Sequence, residues 1–228
     1  MGTLYIVATP IGNLKDITLR AIEILKSMDL IVCEDTRVTG RLLSHYEIQR
    51  KMLALNDFNE ERKVPEIINY LKDGMDVALV SDAGTPLISD PGYKLVREAI
   101  RVGIRVGTIP GPSALISALT ISGKPPDKFL FLGYLPKKPV KRKKILQSLS
   151  SILQSMVNSE LKATVILYES PYRLVEMLKD VLEVFGDVDI TICRELTKMH
   201  EEVRREKVSE SIKHFSEVTP KGEFTILF

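Results

Sequence analysis

The stretch Ala78-Leu79-Val80-Ser81-Asp82-Ala83-Gly84-Thr85-Pro86-Leu87-Ile88-Ser89-Asp90-Pro91-Gly92 decides the fold. It opens as an apolar run of the kind a buried parallel strand needs. It then breaks into Asp, Gly, Pro and Ser, each a turn former for its own physical reason. The spacing puts Asp90 at the N-cap of a following helix and Pro91 at its first position. A polar, glycine-bearing loop therefore lies between the carboxyl end of a strand and a helix, where open α/β sheets bind ligands. Ordinary βα connections are only a few residues long. This one carries two acids, two glycines and two prolines over a longer span, which favours a binding loop over a plain connection.

The same alternation runs outward in both directions. Upstream, apolar strands are expected at Leu4–Ala8, Leu30–Cys33 and Met52–Leu55, with helices after Asp16, through Leu42 and Leu43, and from Glu60 to Lys72. Asp16 is the expected cap of the first helix. Downstream come a helix through Leu95 and Ala99 and a strand at Ile104–Ile109. This pattern predicts a mostly parallel sheet with helices on its faces. The segment Ser122-Gly123-Lys124-Pro125-Pro126-Asp127 is a linker candidate, so two α/β domains are expected, at residues 1–118 and 119–228. The second has strands at Phe129–Tyr134, Ala163–Tyr168, Val188–Cys193 and Lys221–Phe228. Residues His200–Lys207 are charged and carry no clear period.

Composition narrows the class. The 228 residues are 44% hydrophobic and 27% charged, with a formal net charge of +2, so any anion-binding surface must be local. Two cysteines, Cys33 and Cys193, lie far apart and each ends an apolar run, which reads as two buried thiols in a reducing compartment. The scattered histidines give no metal spacing. The N-terminus enters a strand pattern directly, and no apolar run approaches a membrane span, so a cytoplasmic protein is expected.

Polar residues collect at six strand ends: Pro10–Asn13, Glu34–Arg37, Ser81–Asp90, Pro110–Ser113, Glu169–Arg173 and Arg194–Glu195. Together they argue for one ligand site. The turn after the first strand lacks the spaced glycines of a dinucleotide fingerprint, and there is no phosphate loop ending in Gly-Lys-Ser/Thr, which disfavours NAD and ATP chemistry. The stretch Lys137 to Lys144 holds six basic residues (Lys137, Lys138, Lys141, Arg142, Lys143 and Lys144) and no acid. A solvated helix entrance is the plain reading of such a run; a phosphate track is the functional one.

The segments Ala8–Leu14, Cys33–Arg37, Ser81–Gly92, Pro110–Ala114, Gly133–Pro136, Glu169–Pro171 and Arg194–Lys198 together resemble the small-subunit ribosomal RNA methyltransferase I family of the tetrapyrrole methylase superfamily. The resemblance runs through nearly the whole chain in the same order. It implies two α/β domains with a ligand cleft between them, usually in a homodimer. It implies S-adenosylmethionine as cofactor, held by Pro10, Asp82, Ala83, Gly84, Ser113, Ala114, Tyr168 and Gly222. It also implies methyl transfer to the ribose 2'-hydroxyl of a cytidine in small-subunit ribosomal RNA. Asp35, Arg37, Glu169 and Arg173 are the catalytic candidates, because they end strands facing that cleft; Glu169 and Arg173, four apart, could equally pair with each other. Tyr172 stands where the family usually has His, and many members continue past the final strand. Two other readings fit the same fold: a small-molecule methylase acting on a tetrapyrrole, and a ribosome-binding module without catalysis.

Overall fold

The computed structural model describes residues 1–156 and 163–228. The chain divides into two compact units, Met1–Ser113 and Ala114–Phe228. The division falls a few residues before the expected 118/119 boundary. The reason is local: the helix that follows Ser113 packs on strands of the second unit.

In the first unit the elements are β1 (Thr3–Val7), α1 (Leu19–Ser27), β2 (Leu30–Cys33), α2 (Thr36–His45), β3 (Lys51–Ala54), α3 (Glu60–Lys72), β4 (Val77–Val80), α4 (Tyr93–Arg101) and β5 (Arg105–Ile109), with a short 3-10 turn at Leu14–Asp16. The strands form a five-stranded sheet in the order β3-β2-β4-β1-β5. Every pairing is parallel. β2 and β4 are buried along their whole length, which is why they read as unbroken apolar runs. Alternate residues feed two cores. Val77 and Leu79 join Ile67, Leu71, Leu95 and Ala99 of α3 and α4 on one face. Ala78 and Val80 join Ala21, Leu25, Leu42 and Leu43 of α1 and α2 on the other. Full burial of such a side chain is worth about 1.5–3 kcal/mol.

This arrangement positions a site. β1 and β4 are neighbours, yet the helix after β1 covers one face and the helix after β4 covers the other. That is a topological switch point, where a crevice opens beyond the carboxyl ends of the strands.

In the second unit the elements are α5 (Ala114–Ser122), β6 (Phe129–Tyr134), α6 (Pro139–Met156), β7 (Thr164–Glu169), α7 (Leu174–Phe185), β8 (Asp189–Arg194), β9 (Glu202–Lys207), α8 (Val208–Glu217) and β10 (Phe224–Leu227). The sheet order is β6-β7-β10-β8-β9. β6 and β7 are parallel and the remaining pairs antiparallel, so this sheet is mixed. α6, α7 and α8 cover one face through Leu146, Leu149, Leu178, Val181 and Phe215. α5 packs against β8 and β10, and Thr191 Oγ1 donates to Ser122 O at the end of that helix.

Three local expectations are corrected. α4 starts at Tyr93 with Gly92 as N-cap, φ +119°, so Asp90 and Pro91 precede the cap. The missing side-chain cap is replaced from outside: buried Glu60 accepts from Gly92 N at 3.2 Å and Lys94 N at 3.1 Å. α1 is capped by Thr18, whose Oγ1 accepts from Ala21 N, while Asp16 ends the 3-10 turn. The charged stretch after His200 contains β9, an edge strand paired with β8.

Candidate active site

Seven of the expected site residues lie in the first unit, on the loops that follow its strands and, for Arg37, in the first turn of α2: Pro10, Asp35, Arg37, Asp82, Ala83, Gly84 and Ser113. The loops after β1 and β4 are tied at the switch point. Thr9 and Gly84 form an isolated antiparallel bridge, with Thr9 N donating to Gly84 O at 2.8 Å and Gly84 N to Thr9 O at 3.0 Å. Thr9 Oγ1 donates to Ser81 O at 3.0 Å, and Ser81 Oγ to Gly84 O at 3.2 Å. Thr85 Oγ1 donates to Pro112 O at 3.1 Å, which ties the loop after β5 into the same group. Gly84 sits at φ +84°, and a Cβ there would stand 3.2 Å from Ile11. The positive φ favours glycine, and a Cβ would in addition press on the Ile11 side chain. Two other residues of this loop, Leu87 and Ser89, also take positive φ, a strain of the sort that persists only where the surroundings over-determine the backbone. Thr9 and Glu60 were not singled out by the sequence. Their roles are long-range hydrogen bonds, and the only signal was the position of Thr9 next to Pro10.

The acids at this end differ sharply. Asp35 is the N-cap of α2, where its carboxylate accepts from Arg37 N at 2.8 Å. It also holds the Arg37 side chain, with Nε at 3.0 Å and Nη2 at 2.5 Å. These bonds from Arg37 lower its pKa to about 2. A carboxylate that acidic is a poor proton acceptor near neutral pH. Asp82 moves the other way. Burial raises its pKa, and the neighbouring Asp35 charge adds to that, against the hydrogen bond in which Asp35 N donates to Asp82 Oδ1 at 3.1 Å. Glu34 is likewise raised, first by burial and then by Asp82, Asp57 and Asp35. Crowded carboxyls at the ends of β2, β3 and β4 gain by accepting a cationic group.

Ala114, Tyr168, Glu169, Arg173 and Gly222 belong to the second unit. Ala114 is the first residue of α5, and Tyr168 Oη accepts from the next amide, Leu115 N, at 3.0 Å. Tyr168 and Ala114 are thus brought together. Gly222, φ +86°, faces the Glu195 side chain so closely that a Cβ would run into its carboxylate. Glu195 Oε1 is fixed there by Lys198 Nζ at 2.9 Å and Glu223 N at 3.2 Å. Glycine at 222 therefore has a packing reason. Glu169 and Arg173 pair with each other at 3.2 Å, with the Glu169 side chain fully buried. Arg173 Nη2 donates to Leu135 O at 2.5 Å. Burial raises the Glu169 pKa, against the Ser170 amide and the charges of Arg173 and Arg142.

The basic stretch needs one correction. The helix starts at Pro139, so Lys141–Lys144 lie on α6 and not ahead of it. Helical periodicity turns Arg142 inward. Its side chain is 3% exposed, and Nε lies 2.6 Å from Asp180 Oδ2 of α7. Arg142 cannot reach a phosphate in this arrangement. Lys143 is held by Glu183 at 2.6 Å and lies 3.7 Å from Asp180. Lys137, Lys138, Lys141 and Lys144 are exposed. Among the described residues no group of His, Cys, Asp and Glu is placed to hold a metal, and no helix is long and apolar enough to cross a membrane.

Two α/β units with polar loops at a parallel sheet's switch point define a class of ligand-binding fold, and comparison with known proteins names it. Residues 3–211 match the model of the tetrapyrrole (corrin/porphyrin) methylases. Among solved structures of this fold, diphthine synthase superposes with TM-score 0.72 at 14% identity, covering 100% of this chain and 90% of that one. Uroporphyrin-III C-methyltransferase from Thermus thermophilus, complexed with S-adenosyl homocysteine, superposes with TM-score 0.68 at 18% identity, covering 99% and 97%. Within that class the chain belongs to the ribosomal RNA small subunit methyltransferase I family. It is 48% identical to the Thermotoga maritima protein of that name over 227 residues, covering 100% of this chain and 98% of that protein. The Mesorhizobium japonicum relative is 49% identical over 225 residues, 98% of this chain and 74% of the relative. The Escherichia coli relative is 44% identical over 229 residues, 99% of this chain and 77% of the relative.

Proposed function

We propose that this chain is a methyltransferase that moves the methyl group of S-adenosylmethionine to the ribose 2'-hydroxyl of a cytidine in small-subunit ribosomal RNA. It acts in this reading as a cytoplasmic homodimer, as the family resemblance implies. The observation that carries it is the pinned Ser81–Gly84 turn, in a chain nearly half identical over its full length to a relative named as a small-subunit ribosomal RNA methyltransferase.

The residues present fit the donor. S-adenosylmethionine, when bound, supplies an electrophilic methyl on a positively charged sulfur. The family resemblance implies that Pro10, Asp82, Ala83, Gly84, Ser113, Ala114, Tyr168 and Gly222 hold it. Asp82 offers a partly buried carboxylate whose pKa is raised by burial and by the charge of Asp35, with the Asp35 amide and the more distant Arg37 charge acting against the rise. A cationic ligand would relieve it. Gly84 leaves the backbone open to close approach.

The chain contributes alignment more than proton transfer. Methylating a hydroxyl with this donor would break a carbon–sulfur bond, form a carbon–oxygen bond and release the hydroxyl proton to solvent, so the chain's part would be to hold the two reactants in register. Asp35 and Arg37 fix the start of α2, and Glu169 with Arg173 fixes the turn after β7. In this reading they are positioning residues. The tetrapyrrole alternative is disfavoured by Lys137, Lys138, Lys141 and Lys144, an exposed cationic row that a macrocycle does not need.

Titration calorimetry tests the donor assignment. Wild type should bind S-adenosylmethionine saturably and give no heat with NAD or ATP. Asp82→Asn keeps the oxygen that accepts from Asp35 N, so the fold should hold while the donor dissociation constant rises roughly ten-fold, the worth of one charged hydrogen bond. An unchanged constant would make the loop structural only.

A further inference from the structure

Tyr172 belongs to none of the three hydrophobic cores and is 95% exposed. It stands in the turn between β7 and α7, and its mount is rigid. The next residue, Arg173, donates through Nη2 to Leu135 O at 2.5 Å and lies 3.4 Å from Pro136 O. Arg173 is held in turn by fully buried Glu169. The turn bearing Tyr172 is therefore clamped to the segment that leads into α6. The next two residues of that segment, Lys137 and Lys138, are exposed. Lys138 is itself anchored, because its carbonyl accepts from Arg142 N at 3.0 Å and Arg142 is locked to Asp180.

An exposed aromatic ring, on a turn tied to a segment whose next two residues are exposed cations, suits single-stranded RNA. Unstacked bases stack on aromatic faces, and adjacent phosphates take lysines. A rigid mount lowers the ordering cost of engaging the base. We infer that Tyr172 is a base-stacking residue for the substrate RNA, with Lys137 and Lys138 holding the phosphates next to the stacked base. This rests on the ribosomal RNA methyltransferase reading and assigns part of its substrate grip. Exposure alone does not mark such a site. Phe58 is 101% exposed, but its neighbours Asp57 and Glu61 are exposed acids, which repel a polyanion.

The test uses the full chain, undermethylated small ribosomal subunits and S-adenosylmethionine, with Tyr172→Ala, Tyr172→Phe and Phe58→Ala compared to wild type. Stacking on one base corresponds to roughly a ten-fold change in affinity or more. Tyr172→Ala should therefore raise the KM and Kd for subunits about ten-fold. Its kcat at saturating subunits, donor affinity and melting temperature should stay at wild-type values. Tyr172→Phe, which keeps the ring, should stay within two-fold of wild type, and so should Phe58→Ala. Four results would overturn the inference: Tyr172→Ala binding subunits like wild type, Tyr172→Phe binding as weakly as Tyr172→Ala, Phe58→Ala losing as much affinity, or Tyr172→Ala changing the oligomeric state with RNA affinity intact. A wild-type protein that neither binds nor methylates subunits refutes the functional reading and this inference with it.

Discussion

Replacing Arg142 by Ala separates a structural cation from a binding one. In sequence Arg142 sits among five lysines and looks like one more phosphate ligand. In the fold its guanidinium lies 2.6 Å from Asp180, with side-chain exposures of 3% and 9%. Truncating one partner of a buried pair leaves the other charged and desolvated, which costs about 3–5 kcal/mol. Lys143 lies 3.7 Å from the other Asp180 oxygen and gives partial compensation, so the lower end, about 3 kcal/mol, is expected. For a chain of this size that is roughly 6–12 °C in melting temperature. Urea denaturation followed by circular dichroism is the assay, and the midpoint should fall with little change in slope. The double variant Arg142→Met with Asp180→Leu removes both charges and should recover most of the loss. A single variant that melts within a degree or two of wild type, and loses RNA affinity instead, would refute this reasoning.

Two further outcomes follow from the same geometry. Changing Lys137, Lys138, Lys141 and Lys144 together to Gln should leave donor affinity unchanged and flatten the slope of log affinity against log salt for small-subunit RNA by roughly two to four, about one for each phosphate no longer neutralised; an unchanged slope would mean these lysines are solvated and nothing more. Burial raises the pKa of Cys33 and Cys193 from the ordinary value of 9.0 to about 11. The unfolded chain therefore loses these protons before the folded one does, so their contribution is complete below pH 9 and is lost between pH 9 and 11. Denaturant midpoints should fall across that window, and fall less in a Cys33→Ala, Cys193→Ala variant compared with its own value at pH 8.

The parallel sheet was legible because its central strands are buried on both faces. Runs such as Leu30–Cys33 and Val77–Val80 need no partner to be recognised. β9 was not, because Glu202–Lys207 is an edge strand whose charges pair along itself, Arg204 with Glu202 and Glu206, and it shows no apolar period. Glu60 capping α4 from 32 residues away is invisible for another reason: a sequence shows a helix end but not which distant carboxylate covers it.

Legibility of the site followed the same division. Loops at strand ends announce themselves by composition, so the turns that carry Pro10, Asp82–Gly84 and Ser113 were legible as turns. Ion pairs did not. Asp35 reads as a candidate base until Arg37 is seen gripping it, and Arg142 reads as a surface cation until Asp180, 38 residues on, is found against it. Charge counts along a sequence say nothing of pairing, which depends on long-range packing. The Glu169–Arg173 pair is the exception, because a separation of four at a helix start makes pairing foreseeable.

The most direct test of the proposed activity is to map the methyl group. Purified protein is incubated with isotope-labelled S-adenosylmethionine and small subunits from cells lacking this methylation, and the recovered RNA is digested to nucleosides and analysed by mass spectrometry. Label is expected on the ribose 2'-oxygen of a cytidine in small-subunit RNA, and its rate of incorporation should fall roughly ten-fold with Asp82→Asn at limiting donor. Label on a base, label on an added tetrapyrrole in place of RNA, or no transfer despite saturable donor binding would contradict the assignment.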